Sequence, residues 1–156
     1  MLSLSNLFEG HSESYVKCLT CLSESRRPDT FLDLTLPIRN EFGTGVLNSS
    51  VEMALENYIK PELLDGGNQY FCEGCGCKRD AEKGIKLTKG PQILAIVLNR
   101  FTLDYSTFQR VKITDRVSFP ETLNLNDYLS GYDNIKNKKY DEHVQRMQQF
   151  ASSSVQ

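Results

Sequence analysis

Residues 68–79 read NQYFCEGCGCKR and residues 16–21 read VKCLTC, and these two stretches hold all five cysteines of a 156-residue chain. Cys18 and Cys21 make one Cys-x-x-Cys pair and Cys72 and Cys75 a second, with 50 residues between the pairs. Two intervening residues let a tight turn aim both sulfurs at one point. Two such turns on neighbouring hairpins would surround a tetrahedral zinc with sulfurs at about 2.3 Å. Both pairs lie beside short predicted strands, YVKC (15–18) and SESRR (23–27) for the first and QYFC (69–72) for the second, which is the setting of a zinc ribbon. Ribbons commonly separate their knuckles by ~15–20 residues, so here the chain must leave and return. Two other readings stay open at this point: reduced cysteines packed as small side chains, and a thioredoxin-like redox pair. Neither pair opens a helix after a buried strand, which counts against the redox reading. Cys77 is left over, as a bystander or an alternative ligand.

The rest of the composition is that of one globular α+β domain. Hydrophobic residues make up 39% and charged residues 24%, ordinary values for a folded chain. The net charge of −2 and sequence pI near 5.7 lack the basic excess of a nucleic-acid binder, so no nucleic acid is expected as partner. The N-terminal MLSLSNLFEGHSES has neither a basic region nor an apolar core of a secretion signal, and the apolar run ILAIVL (93–98) is too short to span a bilayer. The expectation is a soluble intracellular chain with no membrane partner, cytoplasmic and also nuclear. There, paired thiols favour metal over disulfide.

Along the chain, FLDLTLPI (31–38) alternates with the period of a half-buried strand, and NEFGTG (40–45) reads as a loop. Ser49 stands three residues before Glu52, the spacing of a capping box, and Val51, Ala54, Leu55, Tyr58 and Ile59 would form one apolar helix face that Pro61 ends. DGGN (65–68) is a turn. QILAIVLNRF (92–101) reads as a strand buried on both faces, and RVKI (110–113), RVSF (116–119) and LNLNDYL (123–129) as further short strands and turns. Residues 1–130 form the structured body, and 131–156, polar with a weakly amphipathic piece near 138–150, read as a connector.

No Gly-x-Ser-x-Gly elbow, phosphate loop or HExxH segment is present. A cysteine protease needs a thiolate beside a positioned imidazole. Only His11 and His143 are available, so Cys77 would need one of them folded against it. Tyr70 and Phe71 could offer aromatic area to a partner or pack into their own hairpin. The lysines of KGIKLTKG (83–90) could meet an acidic surface or simply line a solvated strand.

LFEG (7–10), CLTC (18–21), FLDLTLPI (31–38), NQYFCEGC (68–75), ILAIVLNRF (93–101) and VSFPETLNL (117–125) come in an order that resembles the middle of a ubiquitin-specific protease catalytic domain, the papain-like cysteine deubiquitinases. The resemblance covers about residues 4–130. It implies a hand-like fold in which Cys18, Cys21, Cys72 and Cys75 bind one structural zinc at the tip of the fingers. The fingers would cradle ubiquitin on ubiquitinated proteins, and the run through Arg100 and Phe101 would be a central palm strand. The family's nucleophile lies in a Gly-Asn-Thr-Cys-type box and its histidine in a Gly-His-Tyr box, and neither string occurs here. The expectation is therefore an enzyme fragment without catalytic residues, its palm sheet short of neighbours. The alternative is a non-catalytic zinc-ribbon module that binds ubiquitin or another protein.

Overall fold

In the computed structural model, residues 4–39, 48–129, 131, 135–137 and 139 are described. In chain order the elements are helix α1 (Leu4–Phe8), strands β1 (Gly10–Cys18), β2 (Glu24–Phe31) and β3 (Leu34–Pro37), helix α2 (Val51–Ile59), and β4 (Glu62–Leu64). A single 3-10 turn (Gly66–Asn68) leads to β5 (Tyr70–Cys72), β6 (Cys77–Arg79) and β7 (Ala81–Lys89). Strands β8 (Ile96–Asn99), β9 (Phe101–Asp104) and β10 (Gln109–Lys112) and helix α3 (Asn126–Leu129) follow. The expected α+β, strand-dominated class holds.

The largest sheet has the order β2-β1-β7-β4, antiparallel throughout. β1 is one of its two long inner strands, paired to β2 from Gly10↔Phe31 to Lys17↔Glu24 and to the other, β7, as far as Cys18↔Ala81. Pro28 lies inside β2 and does not break it, because β2 is an edge strand and needs no donor on its outer side. Two glycines are filled from across the sheet. Gly10 faces Phe31 and Gly84 faces Tyr15, and a Cβ at either would meet the ring within 3 Å. Each aromatic thus covers a strand position with no side chain of its own. Lys86 lies over the Tyr15 ring at 4.3 Å and reaches Glu24 at 3.3 Å, which ties β7 to β2 across β1.

The core lies between this sheet and α2. Leu34, Leu36, Val51, Ala54, Leu55, Ile59, Leu87, Tyr128 and Ile135 are buried together. Removing each large aliphatic side chain from water contributes roughly 1.5–3 kcal/mol before conformational entropy is set against it. The apolar face foreseen for α2 is the one buried, and the helix ends before Pro61 with Lys60 extended. Its cap is displaced by one residue. Ser50, not Ser49, accepts the Met53 N–H, at 3.2 Å. Ser49 is otherwise held: its carbonyl accepts the Ser118 N–H at 2.9 Å while Val51 donates to the Ser118 carbonyl. That parallel bridge keeps the entry to the helix extended.

Three other sequence expectations are corrected. The run 31–38 is two strands in two sheets, bent at Leu32 and Asp33, with β3 pairing β8 in parallel. The run 92–101 is not buried on both faces: Ile96–Asn99 is one strand and Phe101 already opens the next, β8 has β3 as its one neighbour among the described residues, and Val97 is 46% exposed. It is a two-stranded pair among the described residues, not the centre of a larger sheet. RVSF contributes only the Ser118 bridge, and LNLNDYL ends in α3. The β9–β10 hairpin projects with Phe101, Leu103, Phe108 and Val111 exposed. The loop NEFGTG and most of 138–150 lie outside the described residues. Within 131–156, Gly131, Ile135–Asn137 and Lys139 are described, and Ile135 is buried in the core.

Candidate metal centre

The two Cys-x-x-Cys turns are built alike. The first joins β1 to β2. Cys18 N–H donates to the Ser23 carbonyl at 2.9 Å, and Leu22 N–H returns to the Cys18 carbonyl at 3.0 Å. The second joins β5 to β6, and Gly76 N–H donates to the Cys72 carbonyl at 2.9 Å. In each, the residue after the second cysteine has a left-handed backbone: Leu22 at φ 61° and Gly76 at φ 67°. Glycine adopts that conformation freely, whereas leucine does so at a cost.

The sheet brings these turns together. Cys18 pairs with Ala81 at the end of β1, and Ala81 follows the β5–β6 hairpin after one residue, Asp80. Leu19 N–H donates to the Asp80 carbonyl at 2.9 Å, fastening the first turn to the exit of the second. The intervening 50 residues are spent on β2, β3, α2 and β4, and β4 returns the chain by pairing with β7.

As a result, the sulfurs of Cys18, Cys21, Cys72 and Cys75 all lie within 4.8 Å of one another. Cys18 and Cys75 are 4.0 Å apart, and Cys21 and Cys72 are 3.5 Å apart. A tetrahedron of sulfurs at about 2.3 Å from a central ion has edges of about 3.8 Å, so the donor set has the size and the chemistry for such an ion. Cys18 and Cys72 are buried, Cys75 is half-buried and Cys21 is exposed, so the site sits at the surface end of the sheet.

Without a cation, four close thiols cannot all ionise. The Ser23 hydroxyl, 3.0 Å from the Cys21 sulfur, and the Ser23 backbone N–H draw the Cys21 thiol down to about 6. The same hydroxyl, 3.5 Å from Cys72, helps lower that thiol too. Cys75 takes the opposite burden: the neighbouring Cys21 sulfur first, then burial and the other two cysteines, push it up to about 12. A bound dication reverses that balance by favouring every thiolate. Ser23 was not singled out from the sequence. Its signal is a hydroxyl two residues after a knuckle cysteine, in CLS.

Cys77 stands outside the cluster, half-buried, directly across the β5–β6 hairpin from Cys72. His11 is seven residues from Cys18 along β1, about 23 Å at the rise of a strand, and so serves no thiol there. His143 lies outside the described residues. Phe71 is 56% exposed beside the second turn, and Tyr70 is half-buried. No described helix is long and apolar enough to cross a membrane.

The family model for ubiquitin carboxyl-terminal hydrolase matches residues 2–143. Ubiquitin carboxyl-terminal hydrolase 47 of Drosophila melanogaster is 50% identical over 127 residues, which cover 81% of this chain and 8% of the relative. The Homo sapiens hydrolase 47 is 44% identical over 126 residues, 81% of this chain and 9% of its own length. Ubiquitin carboxyl-terminal hydrolase 17 of Arabidopsis thaliana is 37% identical over 123 residues, 79% of this chain and 16% of its own. The chain thus spans only 8–16% of these relatives. The family model's match, residues 2–143, takes in both cysteine turns and the sheet that unites them, and the chain belongs to the ubiquitin carboxyl-terminal hydrolase family.

Proposed function

We propose that this chain is the ubiquitin-holding part of a thiol-dependent deubiquitinase, with residues 1–130 forming the fingers and part of the palm and residues 131–156 a connector. Cys18, Cys21, Cys72 and Cys75 hold one structural zinc ion. The observation that carries this reading is the convergence of four sulfurs from two turns 50 residues apart to within 4.8 Å. The ion would supply a charge that stabilises all four thiolates and a cross-link between the two hairpins, worth roughly 10 kcal/mol in zinc-finger peptides.

The chain's own residues then do mechanical work. β1, β2 and β7 form a stiff blade, Leu19 and Asp80 pin its two turns together, and Phe71 and Leu22 stand exposed at its end. A blade of this kind grips the folded body of ubiquitin while a nucleophile acts on the C-terminal tail. None of the five cysteines is that nucleophile in this reading. Four are ligands, and among the described residues no histidine lies beside the fifth. A second reading, a zinc-ribbon module that binds ubiquitin or another protein without cleaving it, is favoured by that same lack of a described thiol–imidazole pair.

The test is ubiquitin binding by the chain and by Cys18→Ser and Cys72→Ser, run beside cleavage of a ubiquitin–fluorophore conjugate. The expected result is binding by the parent chain, loss of binding in both variants and no cleavage by any of the three. Normal binding by the serine variants would refute the metal-dependent grip. Cleavage by the chain alone would bring Cys77 back as a catalyst.

A further inference from the structure

The mechanism leaves one thiol unused, and its position is not arbitrary. Cys77 is the register partner of Cys72 on the β5–β6 hairpin. Directly opposed residues of an antiparallel pair have Cα atoms about 4.5–5.5 Å apart and side chains on one face. A disulfide needs Cα atoms roughly 4.4–6.8 Å apart. Cys77 is half-exposed and is not one of the four convergent sulfurs, whereas Cys72 is buried among them. An oxidisable thiol therefore stands opposite a metal ligand, on a hairpin closed by four residues, Glu73–Gly76.

We propose that Cys77 and Cys72 are a redox pair that unloads the fingertip metal site under hydrogen peroxide. The proposal rests on the metal reading of the four-cysteine cluster. The Cys77 sulfur attacks a peroxide oxygen; the O–O bond breaks, and water leaves with Cys77 as a sulfenic acid. The Cys72 sulfur then attacks the Cys77 sulfur, the S–S bond forms and the S–O bond breaks. A second water carries off the oxygen. The Cys77 thiol and the Cys72 thiolate have given two electrons to one peroxide, and solvent supplies the proton that completes the second water. Cys72 is no longer a ligand, and three thiolates remain where four closed the tetrahedron. The clamp between the two turns opens, and the grip that depends on it is lost. A thiol reductant exchanges through the disulfide and restores the site.

Cys75 is a poorer partner for Cys77. It is two residues away across Gly76, inside the turn and not opposite on a strand. The other ligands come from a different hairpin or from within the same turn, so the register singles out Cys72.

The experiment loads the chain and Cys77→Ser with zinc and treats both with hydrogen peroxide. Release is followed with a chromogenic chelator. Peptides cut after Glu73 are then sequenced by fragmentation mass spectrometry. The expected result is equal zinc content before treatment, release slowed about tenfold or more in Cys77→Ser, a Cys72–Cys77 linkage in the parent, and recovery with dithiothreitol. Equal release rates in the two proteins, or a first linkage within Cys18–Cys21 or Cys72–Cys75, would overturn the pair. A chain that holds no zinc before treatment would overturn the metal reading and the unloading with it. A loaded chain indifferent to Cys77 would overturn this proposal alone.

Discussion

Gly76→Ala isolates a single physical quantity, the cost of a left-handed backbone at the knuckle. Gly76 has φ 67°, and a Cβ there would meet nothing within 4 Å, so no steric clash with neighbours enters the balance. The left-handed conformation costs an L-residue about 1–2 kcal/mol. Alanine recovers about 0.4–1 kcal/mol because its unfolded chain has less freedom to lose. The net expectation is a loss of about 1 kcal/mol, roughly a fivefold change in the unfolding constant. Leu22 is the mirror case. It holds φ 61° at the equivalent position of the first knuckle, is 65% exposed, and gains backbone ease if replaced by glycine. Leu22→Gly should be neutral or up to about 0.5 kcal/mol stabilising, once glycine's greater unfolded-state freedom and the small loss of leucine burial are set against the relief. Asn tolerates this region better than Ala, so Gly76→Asn should fall between parent and Gly76→Ala. The assay is urea unfolding of all four proteins at one fixed free zinc concentration, since bound metal shifts the midpoint by mass action. A neutral Gly76→Ala, or a Leu22→Gly that loses more than about 1 kcal/mol, would refute the equivalence of the two turns.

Other outcomes follow from the packing of the sheet and of α2. Gly84→Ala would drive a Cβ to within 2.8–2.9 Å of the Tyr15 ring, which is nearly buried, and thermal unfolding should show a loss of about 1–3 kcal/mol that Tyr15→Ala in the same chain partly relieves. Ser50→Ala should cost about 1 kcal/mol in denaturant unfolding, and Ser49→Ala less than about half that, because only Ser50 caps α2 through its side chain. For Glu24, burial works to raise the carboxyl, but Lys86 and Arg26 outweigh it and hold it below the usual range. A depressed folded value makes its contribution present above the unfolded pKa of about 4.3 and lost as pH falls through the folded one. Glu24→Gln should therefore flatten the acid limb of the stability–pH curve, by at most about 1 kcal/mol given the partial exposure of the pair.

Metal loading has its own pH signature. Cys21 is already drawn down to about 6, while Cys75 is pushed up to about 12, so zinc binding at pH 7 should release the Cys75 proton and, in total, fewer than four protons. Titration calorimetry in buffers of different ionisation enthalpy counts them. Release of a full four would show that Cys21 keeps its proton until metal arrives.

Much of this molecule is legible in its sequence because the signals are local. Two residues between cysteines fix where each pair of sulfurs points. The apolar spacing of Val51, Ala54, Leu55 and Ile59 fixes the buried face of α2. Pairing partners are less legible. An alternating run such as 31–38 looks the same whether it serves one sheet or two, and only the bend at Leu32 and Asp33 divides it. The apolar run 93–98 reports hydrophobicity, but how deeply it is buried depends on how many strands and helices surround it, and among the described residues β3 is its only strand neighbour. The cap fell one residue late because Ser118, far along the chain, occupies the backbone on both sides of Ser50. One missed signal was present throughout. Laying CLTCL over CEGCG sets Leu22 against Gly76 and announces the left-handed position in the first turn.

The most direct test of the metal centre is X-ray absorption at the zinc edge on protein purified without added metal, with zinc counted per chain. About one zinc per chain, with four sulfur neighbours at about 2.3 Å and no nitrogen or oxygen, is the result the geometry predicts. A folded chain without metal, or a first shell containing nitrogen or oxygen, would contradict it.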